Sequence, residues 1–166
     1  MGYSGHKHQR GEKSVDIKDN VGNVLVVCAA APVNIHDSTV FPDAFTQLIK
    51  TATRLTLSLK DVPLTLDSGF DSNEHVQLIR DAQMIPIIKP NFRNTKDKKI
   101  IEERTRAFEL IQSTYILRHT IERGFAWEDK YRKLVIRYER LKATFDGFRY
   151  LAAAMVNYRT EFGKSR

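Results

Sequence analysis

The sequence predicts a mixed α/β fold, with strands and turns in the N-terminal half and helices in the C-terminal half. Three observations support this prediction. Alternating and continuous apolar runs between residues 13 and 30 are typical of paired strands. A strand–helix–strand pattern follows over residues 62–89, and apolar residues recur at helical spacing from residue 100 onward. Because 166 residues can bury a core of their own, we expect one domain over residues 1–166.

The N-terminal segment is predicted to be a loop followed by a hairpin, within a region of strands over residues 13–90. Residues 1–12 are polar and glycine-rich without periodicity, so we interpret them as a loop. From residue 13, Val15 and Ile17 alternate with polar residues, which indicates a half-buried strand. A turn at residues 19–22, where Gly22 supplies any φ > 0 position, precedes a buried strand over residues 23–30.

A helix is predicted next, capped by Asp37 or Ser38, with Pro42 tolerated in its first turn. Its apolar residues recur at helical spacing and form a stripe that should face the core. The residues of this stripe are Phe41, Ala44, Phe45, Leu48, Ile49, Ala52 and Leu55.

A strand–helix–strand unit follows. The first strand covers residues 62–66 and ends at Asp67, and Asp71 with Glu74 forms a capping box for a helix to about residue 82. A second strand over residues 84–89 should pair in parallel with the first. An acid at the carboxyl end of a parallel strand occupies the place where α/β sheets bind ligands. Alone, however, Asp67 before a glycine is equally typical of a turn.

The rest of the chain is predicted to be a basic loop over residues 91–99 and helices over residues 100–166. The stretch from residue 89 to 99 has five cations, among them Arg93 and Lys96, and either clamps a phosphate backbone or is a solvated linker. Helical periodicity then runs to Trp127 with one break. Two further helices should be joined near residues 146–147.

Tyr115, Arg118 and Glu122 have a spacing that would place them on one face of a helix. At 100° per residue the three lie within an arc of roughly 60°. A phenol, a cation and an acid would then share one surface. The simpler interpretation is an i,i+4 ion pair of Arg118 and Glu122, worth about 0.3–0.5 kcal/mol.

The two acidic motifs together resemble the catalytic domain of bacterial insertion-sequence transposases of the DDE class. In that family an Asp-x-Gly-(Phe/Tyr)-Asp motif carries the second acid, and residues 67–71 here read Asp-Ser-Gly-Phe-Asp. A Tyr-x2-Arg-x3-Glu motif carries the third acid and matches Tyr115, Arg118 and Glu122. The family's lysine, seven residues after the glutamate, is replaced by Asp129. The resemblance covers roughly residues 3–160.

The resemblance implies an RNase H-like mixed sheet flanked by helices, and metal-dependent cleavage and strand transfer of DNA. Asp67 and Glu122 would bind Mg²⁺ or Mn²⁺, because hard cations prefer oxygen ligands. Tyr115 and Arg118 would contact DNA phosphate with help from a nearby cation. The candidate DNA-binding residues are Tyr115, Arg118, Lys130, Arg132, Arg93 and Lys96.

The first acid of the family, on the first central strand of the sheet, has no counterpart in this sequence. Asp19 or Asp16 is a weak substitute, since both belong to the predicted hairpin. We therefore expect a copy that is truncated at its N-terminus and lacks the first central strand. Three hypotheses stay open: a DDE transposase that cleaves and transfers DNA itself or as a fragment once complemented, a non-catalytic DNA-binding remnant or regulator, and an unrelated α/β protein.

Charge and composition agree with a nucleic-acid partner. The net charge is +7 and the isoelectric point is near 9.6, which favours polyanions. We expect transposon ends and target DNA as partners, together with a second copy of the chain or a full-length transposase. The longest apolar run, about ten residues, is too short to cross a bilayer, which takes ~20. We expect a cytoplasmic, nucleoid-associated protein without a membrane partner.

Overall fold

The computed structural model divides the chain into two compact units, where the sequence predicted one domain. Unit 1 comprises Met1–Thr51 and His119–Arg166, and unit 2 comprises Ala52–Arg118. The boundary between Arg118 and His119 falls inside the Tyr-x2-Arg-x3-Glu motif. The structure describes residues 2–4, 9–27, 31–128, 130–136 and 138–163.

The N-terminal strands of unit 1 form a small antiparallel sheet. β1 (Gly2–Ser4) pairs with β2 (Gln9–Lys13), which also pairs with a later strand, Ala31–Pro32. The prediction of a loop over residues 1–12 is therefore wrong for these two segments, and residues 5–8 lie outside the described part. Strand pairing through backbone hydrogen bonds needs no apolar periodicity, so the sequence pattern did not reveal it.

The predicted hairpin is confirmed. β3 (Ile17–Lys18) pairs antiparallel with β4 (Val24–Val26). Asp19 Oδ1 accepts hydrogen bonds from three backbone N–H groups of the turn, and Gly22 has the expected positive φ of 108°. β4 is shorter than the predicted strand, whose residues 28–30 are not described. β5 is the strand Ala31–Pro32 named above.

The first helix is confirmed as α1 (Asp37–Arg54). The Asp37 carboxylate lies 2.9 Å from Lys13 Nζ. Leu55 lies beyond the end of the helix and is 53% exposed, and the next residue, Thr56, has a φ of 54° that ends helical geometry. The other predicted apolar positions are buried, except the half-buried Ile49: Phe41, Ala44, Phe45, Leu48 and Ala52.

Unit 2 contains the predicted parallel strand–helix–strand unit. β6 (Pro63–Leu66) pairs in parallel with β7 (Ile85–Ile88), and α2 (Asn73–Asp81) connects them. The capping prediction is wrong by one residue. Ser72, not Asp71, caps α2 through its hydroxyl, which accepts from the backbone N–H of His75 at 3.2 Å.

The mixed α/β class is confirmed, whereas the single RNase H-like sheet is not. The described strands form three separate sheets: β1–β2–β5, β3–β4 and β6–β7. In the RNase H-like order a central strand joins the hairpin to the strand that ends at Asp67. No described residues form such a strand.

The helical region starts with α3 (Lys98–Glu109), α4 (Gln112–Ile116) and α5 (His119–Glu128). Lys98 and Lys99, predicted in the basic loop, therefore belong to α3. The prediction of one break before Trp127 is wrong, because the described helices break twice. At the second break the N–H of Arg118 bonds to Tyr115 O, three residues back, instead of continuing the i→i−4 ladder.

The last two helices are α6 (Arg132–Val135) and α7 (Lys142–Phe162). The prediction of a break near residues 146–147 is wrong, because α7 continues through Gly147. A lone glycine weakens a helix by only about 1 kcal/mol, which packing of its apolar face offsets. That face is buried at Phe145, Arg149, Ala152, Ala153 and Val156.

α7 packs on the hairpin of unit 1. Val24, Ala153 and Val156 share one buried cluster. The Asn157 amide completes the contact, because its Oδ1 accepts from Val24 N–H at 2.7 Å and its Nδ2 donates to Val24 O at 3.0 Å. Arg149 Nη2 donates to Asp16 Oδ1 at 3.0 Å, and both side chains are at least nine-tenths buried. Among the described residues, no helix is long and apolar enough for a membrane span.

Candidate functional site

Asp67 stands at the carboxyl end of β6, where the parallel pair opens into a loop. Its Oδ1 accepts from Ser68 N–H at 2.6 Å and from Ser68 Oγ at 3.3 Å, which caps the short 3₁₀ turn Ser68–Phe70. The Asp67 side chain remains 49% exposed. Asp67 thus caps a turn and also presents an accessible carboxylate. The sequence had left open which of these two roles it has.

Arg118 and Tyr115 lie beside Asp67 in unit 2. Arg118 Nη2 donates to Asp67 Oδ2 at 3.2 Å, and the Arg118 guanidinium lies 5.9 Å from the centre of the Tyr115 ring. α4, which carries Tyr115, packs against β6 and β7. A phenol, a cation and an acid therefore surround one end of the strand pair.

Burial raises the pKa of the Tyr115 hydroxyl above its usual value of 10.0. The nearby Arg118 cation and its hydrogen bond lower the pKa in part, while the Asp67 charge adds to the increase. The Tyr115 ring also packs edge-on against Phe108, with centres 5.0 Å apart. At neutral pH the hydroxyl therefore keeps its proton and can donate a hydrogen bond to an anionic oxygen.

Tyr115 predicts a pH-dependent contribution to stability. Because its pKa is raised in the folded chain, the neutral phenol contributes stability that is fully present below about pH 10 and is lost as the pH rises through the raised value. We expect the free energy of unfolding to fall more steeply above pH 10 in the wild type than in Tyr115→Phe. Urea unfolding between about pH 9 and 11.5 measures this difference; parallel curves for the two proteins would contradict it.

Glu122 lies on α5 and belongs to unit 1, where its side chain is exposed. The prediction of one continuous helix through Tyr115, Arg118 and Glu122 is wrong, and the shared surface of the three side chains stays a prediction. The helix ends at Ile116 and a new one begins at His119, so a constant rotation of 100° per residue does not run from Tyr115 to Glu122.

The four further candidate DNA-binding cations are all exposed. Arg93 and Lys96 lie in the loop between β7 and α3, in unit 2. Lys130 and Arg132 belong to unit 1, and Lys130 Nζ lies 4.0 Å from the centre of the Trp127 ring. Exposed cations beside an aromatic ring suit contact with phosphate and base, although a solvated surface has the same appearance. Asp129 lies outside the described residues.

Asp16 and Asp19, the two proposed substitutes for the first acid, both bind other groups of unit 1. Asp16 is buried against Arg149, and the Asp19 carboxylate is taken up by the N–H groups of its turn and by Asn23 Nδ2 at 2.9 Å. The Asp16 side chain is 3% exposed, whereas that of Asp67 is 49% exposed.

The sequence patterns do not predict that Arg104 of α3 binds the loop of residues 67–71. Its Nη2 donates to both oxygens of Asp71, at 2.8 and 2.7 Å. Arg104 lies among other charged residues of α3, and no spacing rule singles it out. The second aspartate of Asp-Ser-Gly-Phe-Asp was the available signal, since a semi-buried acid needs a partner.

The donor chemistry of this loop suits a hard divalent cation, but the number of ligands falls short. Asp67 presents an accessible carboxylate of the kind that Mg²⁺ or Mn²⁺ prefers. Among the described residues, no group of three His, Cys, Asp or Glu side chains is arranged to hold a metal ion. Within the described residues, Asp67 is thus an accessible carboxylate without a complete set of ligands around it.

Comparison with known proteins identifies one family. A family model described as "Transposase DDE domain" matches residues 2–157. No curated protein and no solved structure matches the chain. The match covers most of the 166 residues and includes both acidic motifs. The chain therefore belongs to the transposase DDE domain family.

Proposed function

We propose that this chain acts in DNA transposition by metal-dependent phosphodiester cleavage and strand transfer, as in the transposases of bacterial insertion sequences. The observation that carries the proposal is the position of Asp67 at the end of a parallel strand, with Arg118 and Tyr115 beside it. Family membership supports the reaction class. An acid, a cation and a protonated phenol suit a reaction at a phosphate group.

Each residue has a distinct proposed role. Asp67 and Glu122 supply carboxylate ligands to Mg²⁺ or Mn²⁺, which when bound activates the attacking hydroxyl and stabilises the leaving oxygen. Arg118 donates a hydrogen bond to Asp67, and its positive charge would neutralise a phosphate oxygen that binds beside Asp67. Tyr115 donates a hydrogen bond from its neutral hydroxyl to a phosphate oxygen of the DNA.

DNA is the proposed partner, both as transposon end and as target. The net charge of +7 and the exposed Arg93, Lys96, Lys130 and Arg132 support contact with the phosphate backbone. We also propose assembly with a second copy or with a full-length transposase, because strand transfer joins separate DNA segments.

Plasmid nicking tests the proposed function. The purified chain is incubated with a supercoiled plasmid that carries the cognate ends, with Mg²⁺, with Mn²⁺ and with EDTA. We expect nicked product with either metal and none with EDTA. Equal nicking in EDTA would point to a contaminating or metal-independent nuclease and would contradict the proposal.

A non-catalytic DNA-binding remnant or regulator is the second candidate. The absence of a three-acid cluster among the described residues favours it. It predicts plasmid binding that weakens steeply with salt, without nicking in either metal. Sequencing the nucleotides immediately upstream of the Met1 codon tests the related prediction that the copy is incomplete.

A further inference from the structure

Asp71, the second acid of the Asp-Ser-Gly-Phe-Asp motif, is held in a very different setting from Asp67. Its side chain is only 12% exposed, against 49% for Asp67. Its Oδ1 accepts from Arg104 Nη2, and its Oδ2 accepts from Arg104 Nη2 and from the backbone N–H of Asn91 at 2.7 Å. Asp67 also accepts three hydrogen bonds, so burial rather than the number of bonds separates the two acids, and the 12% exposed Asp71 carboxylate has little surface left for a further ligand.

The partners of Asp71 come from separate segments of unit 2. Arg104 lies on α3, and Asn91 lies in the loop that follows β7. The Arg104 guanidinium also lies 5.8 Å from the centre of the Phe92 ring, next to Asn91. One carboxylate therefore ties the loop after β6 to the loop after β7 and to a helix.

The same connection reaches the residue next to Asp67. The backbone N–H of Asp71 and the Nδ2 of Asn91 both donate to Ser68 O, each at 3.3 Å. Ser68 in turn donates its N–H to Asp67 Oδ1. Displacement of Asp71 or Asn91 would therefore remove a bond to Ser68 O, in the turn that presents the Asp67 carboxylate.

We propose that Asp71 and Arg104 are positioning residues that hold the Asp67 turn in place, and that Asp71 is not a metal ligand. This inference rests on the proposed function for its effect on activity. Its structural part, the strap from Arg104 through Asp71 and Asn91 to Ser68, stands on unit 2 alone. The two acids of the motif thus have different roles. Asp67 faces the substrate, and Asp71 holds the turn that carries Asp67.

Hydrogen exchange of the full chain tests the strap directly. In Asp71→Ala we expect the Asn91 backbone amide to exchange at least about tenfold faster, because its N–H loses the charge-assisted bond to the carboxylate. Arg104→Ala should accelerate the exchange less, because the carboxylate remains but is no longer held by the guanidinium. Amides in the middle of α2 should be unchanged, which shows that the unit is folded. Arg104→Lys keeps the cation and should exchange at an intermediate rate. Unchanged exchange at Asn91 in folded Asp71→Ala would overturn the strap.

Metal binding and kinetics separate a positioning residue from a ligand. We expect Asp71→Ala to bind Mn²⁺ with wild-type affinity in calorimetric titration and to nick plasmid about 100-fold more slowly at saturating metal, as misplaced reacting groups do. Asp67→Ala should lose the Mn²⁺ affinity itself. A loss of affinity in Asp71→Ala equal to that in Asp67→Ala would make Asp71 a ligand and overturn the proposal.

Asp81→Ala is the matched control, since this acid on α2 accepts a bond from its own helix, from Gln77 Nε2 at 2.7 Å. It should leave exchange at Asn91, Mn²⁺ affinity and nicking unchanged. If the wild type neither binds Mn²⁺ nor nicks DNA, the proposed function fails, while the exchange experiment still decides whether the strap exists.

Discussion

Asp67→Asn is expected to slow Mg²⁺-dependent nicking by at least about 1,000-fold, the size of effect seen when a central active-site group is removed. Asparagine keeps the shape of the side chain and an oxygen that can accept from Ser68 N–H, so the turn should survive. What it removes is the negative charge that makes a carboxylate a stronger ligand of a divalent cation than a neutral amide. Initial nicking rates at several Mg²⁺ concentrations measure the loss.

The control for this prediction is Asp81→Asn, an exposed acid of unit 2 outside the motif, which should nick at the wild-type rate. Glu122→Gln should lose as much activity as Asp67→Asn, with the exposed Glu102→Gln as its own control. If either site variant nicks within about tenfold of the wild-type rate, its residue is not part of the active site.

Arg149→Ala is expected to destabilise the chain by about 3–5 kcal/mol, because it leaves the buried Asp16 charge without its guanidinium. The side chains of Asp16 and Arg149 are only 3% and 9% exposed, so water screens the pair weakly. Domains of this size are stable by about 5–15 kcal/mol, and such a loss brings the protein close to unfolding. Urea midpoints from circular dichroism measure it.

Lys142→Ala provides the comparison, because its ion pair with Asp146 is half exposed and should contribute no more than about 1 kcal/mol. An Asp16→Leu, Arg149→Met double variant removes both charges and should recover most of the stability lost in Arg149→Ala. If the urea midpoint of Arg149→Ala is as close to the wild-type midpoint as that of Lys142→Ala, the prediction is contradicted. Asp16 then becomes solvated when Arg149 is removed.

Much of the fold follows from patterns within continuous segments of the chain. The α1 stripe apart from Leu55, the turn with Gly22 at positive φ and the parallel pair of β6 and β7 were predicted correctly. These features depend on side-chain periodicity and local backbone preference, which a short segment carries by itself.

The errors share a different cause. β2 has no apolar alternation, and its strand exists because β1 and β5 are available to pair with it. α7 passes through Gly147 because its apolar face is buried. In both cases a distant partner outweighed a weak local preference.

The sequence by itself determined the family motifs, the basic charge and the placement of Asp67 at a strand end, because motif spacing, composition and periodicity are local properties. Only the tertiary structure decided that the helix breaks before His119 and that Asp71 pairs with Arg104, 33 residues away. The physical reason is that a buried polar group must find a hydrogen-bond partner, and packing decides which distant group comes within reach.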